Sequence, residues 1–366
     1  MKKHTLTRLI IVSLVFFFLL NSCRDDKKEI EGIEIVWENN KAVELVIPKR
    51  LFGAESLDAS LPQVSLDTAN APAILGASSS GVTSDFATFK PLIPFTRGLS
   101  YRVTVNNKTI GIIEIPPAPA SNEAKVIAVY PTRDTIPENL LKIYIEFSKP
   151  MREGEAMQHL VLIKNGKDSL HSTFLDLEPE LWNNDRTVLT LWLDPGRIKR
   201  GLQPNLAMGP PLTRDNKYTL IVKQEWKNQE GAQLQRDFIK DFVTVDYDSL
   251  PLDPADWTIK IPKSGTTETL DIYFRESLDY MLVKNAIHIT DAVGMDMPGS
   301  ITVLPGEIGF IFTPAVPWKE AEYKLVVETR MEDLAGNNLD HLFDNDLTKK
   351  HKTGTGKNYV KVIRVR

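Results

Sequence analysis

The chain has 366 residues, with 44 Lys and Arg against 48 Asp and Glu and a single cysteine. A net charge of −4 speaks against a nucleic-acid binder held by a basic face, and one thiol rules out an internal disulfide framework. The length exceeds what one hydrophobic core usually supports, so several domains are expected. The first element is Lys2, Lys3 and Arg8 followed by the apolar run from Leu9 to Leu20, which reads as a secretory signal over residues 1–22. That run is too short for a bilayer crossing, which needs about 20 apolar residues. Cleavage would remove three cations and no acid, taking the net charge from −4 to −7.

The run ends Leu20-Asn21-Ser22-Cys23. This resembles the lipobox of bacterial lipoproteins, in which Leu stands three residues before the cysteine and a small residue just before it. The resemblance implies that the Cys23 thiol carries a diacylglyceryl group and becomes the new N-terminus. One acyl chain binds a membrane marginally, whereas two or three hold it firmly. Residues 23–31, beginning Arg24-Asp25-Asp26-Lys27-Lys28, form a charged tether. Arg24 stands where an inner-membrane retention signal has Asp, so the resemblance implies an outer-membrane location, with the periplasmic and the exposed face both open.

Beyond the tether, alternating apolar and polar segments rich in Val, Ile, Thr and aromatics recur between Pro, Gly and Asn, the pattern of an all-β chain of β-sandwiches. Three regions are expected: residues 32–116, residues 124–247 with an inserted loop at 196–213, and residues 256–366. Leu57 to Gly81 reads as loops with one short strand, and Arg152 to His159 as the main helical stretch. Pro116-Pro117-Ala118-Pro119 closes the first region, because prolines cannot continue a ladder.

The second region contains Tyr130-Pro131, a short acidic loop, and a strand ending Phe147-Ser148-Lys149-Pro150-Met151. This resembles the bacterial Ig-like domains of surface and S-layer-associated proteins, and implies tandem Ig-like β-sandwich domains with binding, adhesion or spacer roles. The third region repeats it. Leu270-Asp271-Ile272-Tyr273 parallels Leu141 to Tyr144, and Tyr323-Lys324-Leu325-Val326 parallels Tyr218-Thr219-Leu220-Ile221. The first region joins through one motif, a strand ending at a proline with a tyrosine opening the next strand: Pro91 before Tyr101, Pro195 before Tyr218, and Pro314 before Tyr323. These tyrosines are expected to pin a corner through their hydroxyls. In the second region the tyrosine arrives late, after the Pro/Gly-rich basic excursion from Gly196 to Thr213.

Candidate chemistry is sparse. The histidines, among them His159, His171, His288 and His341, stand singly and offer no zinc set. Gly76 to Gly81 gives no Gly-x-Ser-x-Gly elbow, and Thr353 to Asn358 departs from a phosphate loop. No cofactor is expected. Asp333, Asn337, Asn338 and Asp340, with Asp344 and Asp346 near, supply oxygens suited to Ca²⁺, although a hairpin tip contains the same residues.

The candidate ligand-binding set is Trp182, Arg186, Trp192, Arg197, Lys199 and Arg200. The period of two puts Leu189, Leu191 and Leu193 on one face and Trp192 on the other. Trp192 therefore needs cover, for which the excursion is the nearest source, or it contributes to an exposed patch. The cations of the excursion are expected to pair with Glu178 and Glu180. The expected function is a non-enzymatic envelope module holding a polysaccharide or protein partner. The alternative is a carbohydrate-active hydrolase, or a glycan-binding accessory protein, with acids around Glu178 beside Trp182.

Overall fold

The computed structural model describes residues 32–53, 61–80, 84–344 and 357–366. The lipobox, Cys23, Asp346 and most of the Thr353 to Asn358 stretch lie outside these. The chain divides into two compact units, one of residues up to Phe95 with Ser100–Ile115, the other of Thr96–Leu99 with Pro116–Arg366.

The first unit holds β1 (Glu34–Glu38), β2 (Lys41–Pro48), β3 (Gln63–Leu66), β4 (Gly76–Ser80), β5 (Phe86–Pro91), β6 (Ser100–Val105) and β7 (Lys108–Glu114). One sheet runs β1-β2-β5-β4 and the other β3-β6-β7. Two-residue turns at Asn39-Asn40 and Asn106-Asn107 join neighbouring strands, with all four asparagines at positive φ. Asparagine tolerates that conformation, and it matches the twist of the flanking strands. Leu45, Ile47, Val64, Phe89 and Val103 fill the core, and Phe95 meets Tyr101 edge-on at 4.9 Å. The stretch expected to be loops with one strand contains two. Gly76-Ala77-Ser78-Ser79-Ser80 has poor intrinsic strand character and is extended because it pairs with β5 along its whole length.

The second unit opens with β8 (Val126–Tyr130), β9 (Thr135–Pro137), β10 (Lys142–Phe147), α1 (Ala156–His159), β11 (Leu160–Lys164), β12 (Asp168–Leu170), β13 (Leu181–Trp182) and β14 (Val188–Trp192). After α2 (Pro195–Ile198) and α3 (Gln203–Met208) come β15 (Lys217–Val222) and β16 (Phe238–Val245). The sheets run β13-β14-β10-β8 and β12-β11-β15-β16-β9, with β9 parallel to β16. The unit continues through β17 (Thr258–Lys260), β18 (Leu270–Tyr273), α4 (Tyr280–Asn285), β19 (Ile287–Thr290), β20 (Gly299–Val303), β21 (Gly309–Pro314), β22 (Ala321–Val327) and β23 (Tyr359–Val365). These strands form sheets β17-β18-β21-β20 and β19-β22-β23.

The strand order is common to all three sandwiches. The first two strands pair with the fourth and fifth of the basic seven, and the third, sixth and seventh form the facing sheet. That is the immunoglobulin order. It holds for the first unit as fully as for the others, although there the sequence offered only the Pro–Tyr motif.

The corner tyrosines behave as expected in the second unit. The Thr213 amide donates to the Tyr218 hydroxyl at 2.8 Å, and the Lys319 amide to the Tyr323 hydroxyl at 3.0 Å. Both rings are buried, as is that of Tyr101. Tyr218→Phe should therefore cost about 1 kcal/mol in urea unfolding, the net worth of a typical hydrogen bond, while leaving the packing of the ring on Phe242 intact.

Candidate functional site

The excursion after β14 is a folded insert. The Asp194 carboxylate accepts from the Gly196 amide at 2.8 Å and Pro195 occupies the first helical turn, so the Asp-Pro pair starts α2. That cap was visible in the sequence and marks a helix that periodicity did not suggest. The Arg197 guanidinium then ties the insert to itself, donating to the carbonyls of Ser172, Gly209 and Pro210 at 2.8, 2.9 and 3.1 Å. The Asn205 amide donates to the Arg197 carbonyl at 2.6 Å.

The remaining cations reach across to the last sandwich. Arg200 Nε donates to Asp344 Oδ2 at 2.8 Å, and its guanidinium lies 4.3 Å from the Tyr247 ring centre. The Tyr247 hydroxyl donates to the same Asp344 oxygen at 2.9 Å. Lys199 Nζ stands 4.5 Å over the Phe343 ring. The expected pairing with Glu178 and Glu180 is thus corrected. Glu180 spends its oxygens on the Ala156 amide and on Trp182 Nε1, at 2.8 and 2.7 Å, and the partner of Arg200 comes from another domain.

The six candidate residues do not converge. Trp182 belongs to an aromatic cluster with Phe147 and Trp226 inside the second sandwich. Arg186 pairs with Glu153 at 2.6 Å. Trp192 is half-buried against the core, and Lys142, its register partner on β10, places its Nζ 5.1 Å from the ring centre. On its outer side the insert exposes Leu202, Leu206 and Met208 by 45%, 67% and 57%. Met208 also lines a groove of about 420 Å³ with Met157, Leu160, Leu170 and Phe174.

Lys142 leads into the seam between the second and third sandwiches. Its Nζ bonds to Asp279 at 3.2 Å and Glu332 at 2.6 Å. Burial works to lower the Lys142 pKa, but the two carboxylates outweigh it and the net direction is upward. The Tyr144 hydroxyl donates to Asp279 at 2.7 Å, and Tyr130 stacks on Tyr280 at 3.5 Å. Asp279 also caps α4 by accepting from the Leu282 amide. Beside this network the buried Glu307 accepts from the Thr132 amide and hydroxyl at 2.8–3.1 Å, and Arg133 donates to Ser277 Oγ at 2.8 Å. Leu141 N donates to the Leu334 carbonyl at 2.9 Å. The seam is therefore bonded along its length.

The loop proposed to supply calcium oxygens uses most of them internally. Asp333 Oδ1 accepts from the Ala335 and Asn337 amides, Asp333 Oδ2 from Asn337 Nδ2, and Asn338 Oδ1 from the Asp340 and His341 amides. What Asp333 does meet, unforeseen in the sequence, is Asp248 and Glu276, with one carboxylate oxygen of each lying within 4.8 Å of the others. Burial and the Asp248 charge push Asp333 up to about 8 against its Asn337 hydrogen bonds, and push Glu276 up to about 7 despite Arg275. Calcium takes six to eight oxygens. With both Asp333 oxygens already committed to donors of its own loop, the trio falls short of that shell.

No protein-family model matches the chain, and no curated protein matches it. Among solved structures it is similar to the N-terminal part of the bacterial S-layer protein SbsC, at 12% identity and a TM-score of 0.26, over 68% of this chain and 45% of that one. It is also similar to native alpha-2-macroglobulin from Escherichia coli, at 10% identity and a TM-score of 0.23, over 67% and 72%. A third similarity is to a pullulanase from Anoxybacillus sp. LM18-11, at 11% identity and a TM-score of 0.20, over 64% and 30%. The chain thus spans less than half of the S-layer fragment. Scores this low carry no argument, and the immunoglobulin assignment rests on the strand order itself. Among the described residues no helix is long and apolar enough to cross a membrane.

Proposed function

We propose that this chain is a lipid-anchored cell-envelope module that holds a partner away from the membrane and performs no catalysis. The observation that carries this reading is the placement of the insert. Its cations are used to fasten the second sandwich to the third, so the feature the sister domains lack serves first as a brace. Its exposed Leu202, Leu206 and Met208, beside the groove that Met208 lines, are the surface left for a partner. The partner class is a polysaccharide or a protein segment that covers apolar surface. The hydrolase alternative loses support because Glu180, the acid nearest Trp182, has both oxygens held by fixed donors. The Leu20-Asn21-Ser22-Cys23 motif supports anchoring through Cys23, with Arg24 favouring the outer membrane.

The test is a binding and turnover panel of envelope polysaccharides and peptides with the full chain. Binding without turnover is expected, together with loss of binding in Leu206→Asp combined with Met208→Asp. Turnover that disappears in Glu178→Gln would establish the hydrolase instead. In the same cells, labelling with a palmitate analogue should mark the wild type and not Cys23→Ser, and a labelled Cys23→Ser protein would remove the anchor from the proposal.

A further inference from the structure

Asp248 lies on the segment that leaves β16, and it is tied to the second sandwich by two reciprocal bonds. Asn139 Nδ2 donates to the Asp248 carbonyl at 2.8 Å, and the Asp248 amide donates to Asn139 Oδ1 at 2.9 Å. Glu276 and Asp333 belong to the third sandwich, between its second strand and α4 and in the loop after β22. Their carboxylates nonetheless crowd within 4.8 Å of that of Asp248. The crowding sits on the seam itself. Leu334, next to Asp333, accepts the Leu141 amide, and a Cβ at Gly336 would lie 2.5 Å from Leu141 Cδ2. Any force that drives Asp248 from Glu276 and Asp333 therefore acts to part the two sandwiches.

We propose that Asp248, Glu276 and Asp333 form a proton-operated latch, closed while Glu276 and Asp333 hold their protons and loosened when both ionise beside Asp248. It concerns how the seam is regulated and is independent of what the insert binds. The surrounding charges leave the trio under-compensated. On the second-sandwich side, Arg133 and Asp246 line the same cavity of about 380 Å³ with Tyr247, and the Arg133 guanidinium donates to Ser277 Oγ. On the third-sandwich side, Arg275 pairs with Asp256, while Lys142 is divided between Asp279 and Glu332. Three like charges this close repel one another in a partly dehydrated site far more than in water.

The sign follows from proton counting. The closed seam raises the Asp333 and Glu276 pKa values to about 8 and about 7, whereas opening returns them toward the ordinary carboxylate range. Between that range and pH 8 the closed form binds more protons, so opening releases them and becomes easier as pH rises. The opening constant should increase about tenfold per pH unit for each proton released, and level off once the folded carboxyls have ionised.

Hydrogen exchange of the Leu141 amide, corrected for the intrinsic pH dependence, reads this opening directly in the full chain held in EDTA. Protection of Leu141 is expected to fall at least tenfold per unit between pH 6 and 7 and to flatten above about pH 8. In Asp248→Asn combined with Glu276→Gln the slope should shrink, with protection at pH 8.5 exceeding that of the wild type. A wild-type protection independent of pH would overturn the latch, as would an unchanged slope in the double variant. Should that variant not fold, the wild-type profile still decides. Added Ca²⁺ that restores protection at pH 8.5 in the wild type would also overturn it, by showing that a cation and not the proton closes the seam. Binding of a partner at the insert is read separately, so failure of the latch leaves the proposed function standing.

Discussion

Trp226→Ala is expected to lower the stability of the second sandwich by about 3–5 kcal/mol, the range for truncating a buried aromatic. Trp226 is fully buried, and three rings surround it: Phe147 edge-on at 5.2 Å, Trp182 edge-on at 5.8 Å and His159 stacked at 5.7 Å. Removing the indole opens a cavity at the end of the core and takes away three aromatic contacts, each worth about 0.5–1.5 kcal/mol beyond burial. The site cannot collapse easily, because Trp182 is pinned by Glu180 and Phe147 by its strand pairing. Trp226→Phe should behave differently. The indole Nε1 has no acceptor among the described residues, and an orphaned buried donor costs about 1–3 kcal/mol. Phenylalanine loses volume but also removes that donor, so the two effects offset each other and the net change should stay near 1 kcal/mol or below. Urea unfolding of both variants checks this, and a loss in Trp226→Ala no larger than in Trp226→Phe would remove the cluster from the list of stabilising elements.

Lys142→Met should cost about 3 kcal/mol and change the form of the unfolding curve. The lysine sits between Asp279, which is 4% exposed, and Glu332, and without it two carboxylates face each other at the seam. Breaking a buried ion pair from one side costs about 3–5 kcal/mol because a charge is left uncompensated. The lower end applies because Glu332 is 22% exposed and partly hydrated. Asp279 keeps its bonds from the Tyr144 hydroxyl and the Leu282 amide, so α4 should survive. The damage is therefore confined to the seam, and the two sandwiches should separate into two calorimetric transitions. Adding Glu332→Gln to Lys142→Met should recover part of the loss, giving a coupling energy in a double-mutant cycle. Two independent, additive effects would show that the three groups do not act as a unit.

Both predictions concern contacts that the strand pattern could not reveal. Period-two alternation located β10, β14, β15 and β22 and assigned the inward face of β14, because a half-buried strand must alternate whatever lies beyond it. The Pro–Tyr motif located the corner between the fifth and sixth strands, because the proline ends one ladder and the tyrosine hydroxyl satisfies the backbone of the turn. The delay of Tyr218 is legible for the same reason, as a local departure from a repeat.

The partners of the insert were beyond the sequence. Glu178 and Glu180 are near Arg200 along the chain, yet Asp344 is the carboxylate that meets it, and Trp192 meets a lysine of the neighbouring strand, four strands earlier in the chain. The strand at Gly76 to Ser80 was equally hidden, because small residues without strand preference become extended only when a neighbour supplies the ladder. What the amino-acid pattern determined is therefore local and periodic: the β class and the corner tyrosines. The tertiary structure alone decided which charges meet. It brought Arg200 to Asp344, Lys142 to Asp279 and Glu332, and Asp248 to Glu276 and Asp333, because electrostatic energy depends on distance in space and these partners lie on different domains.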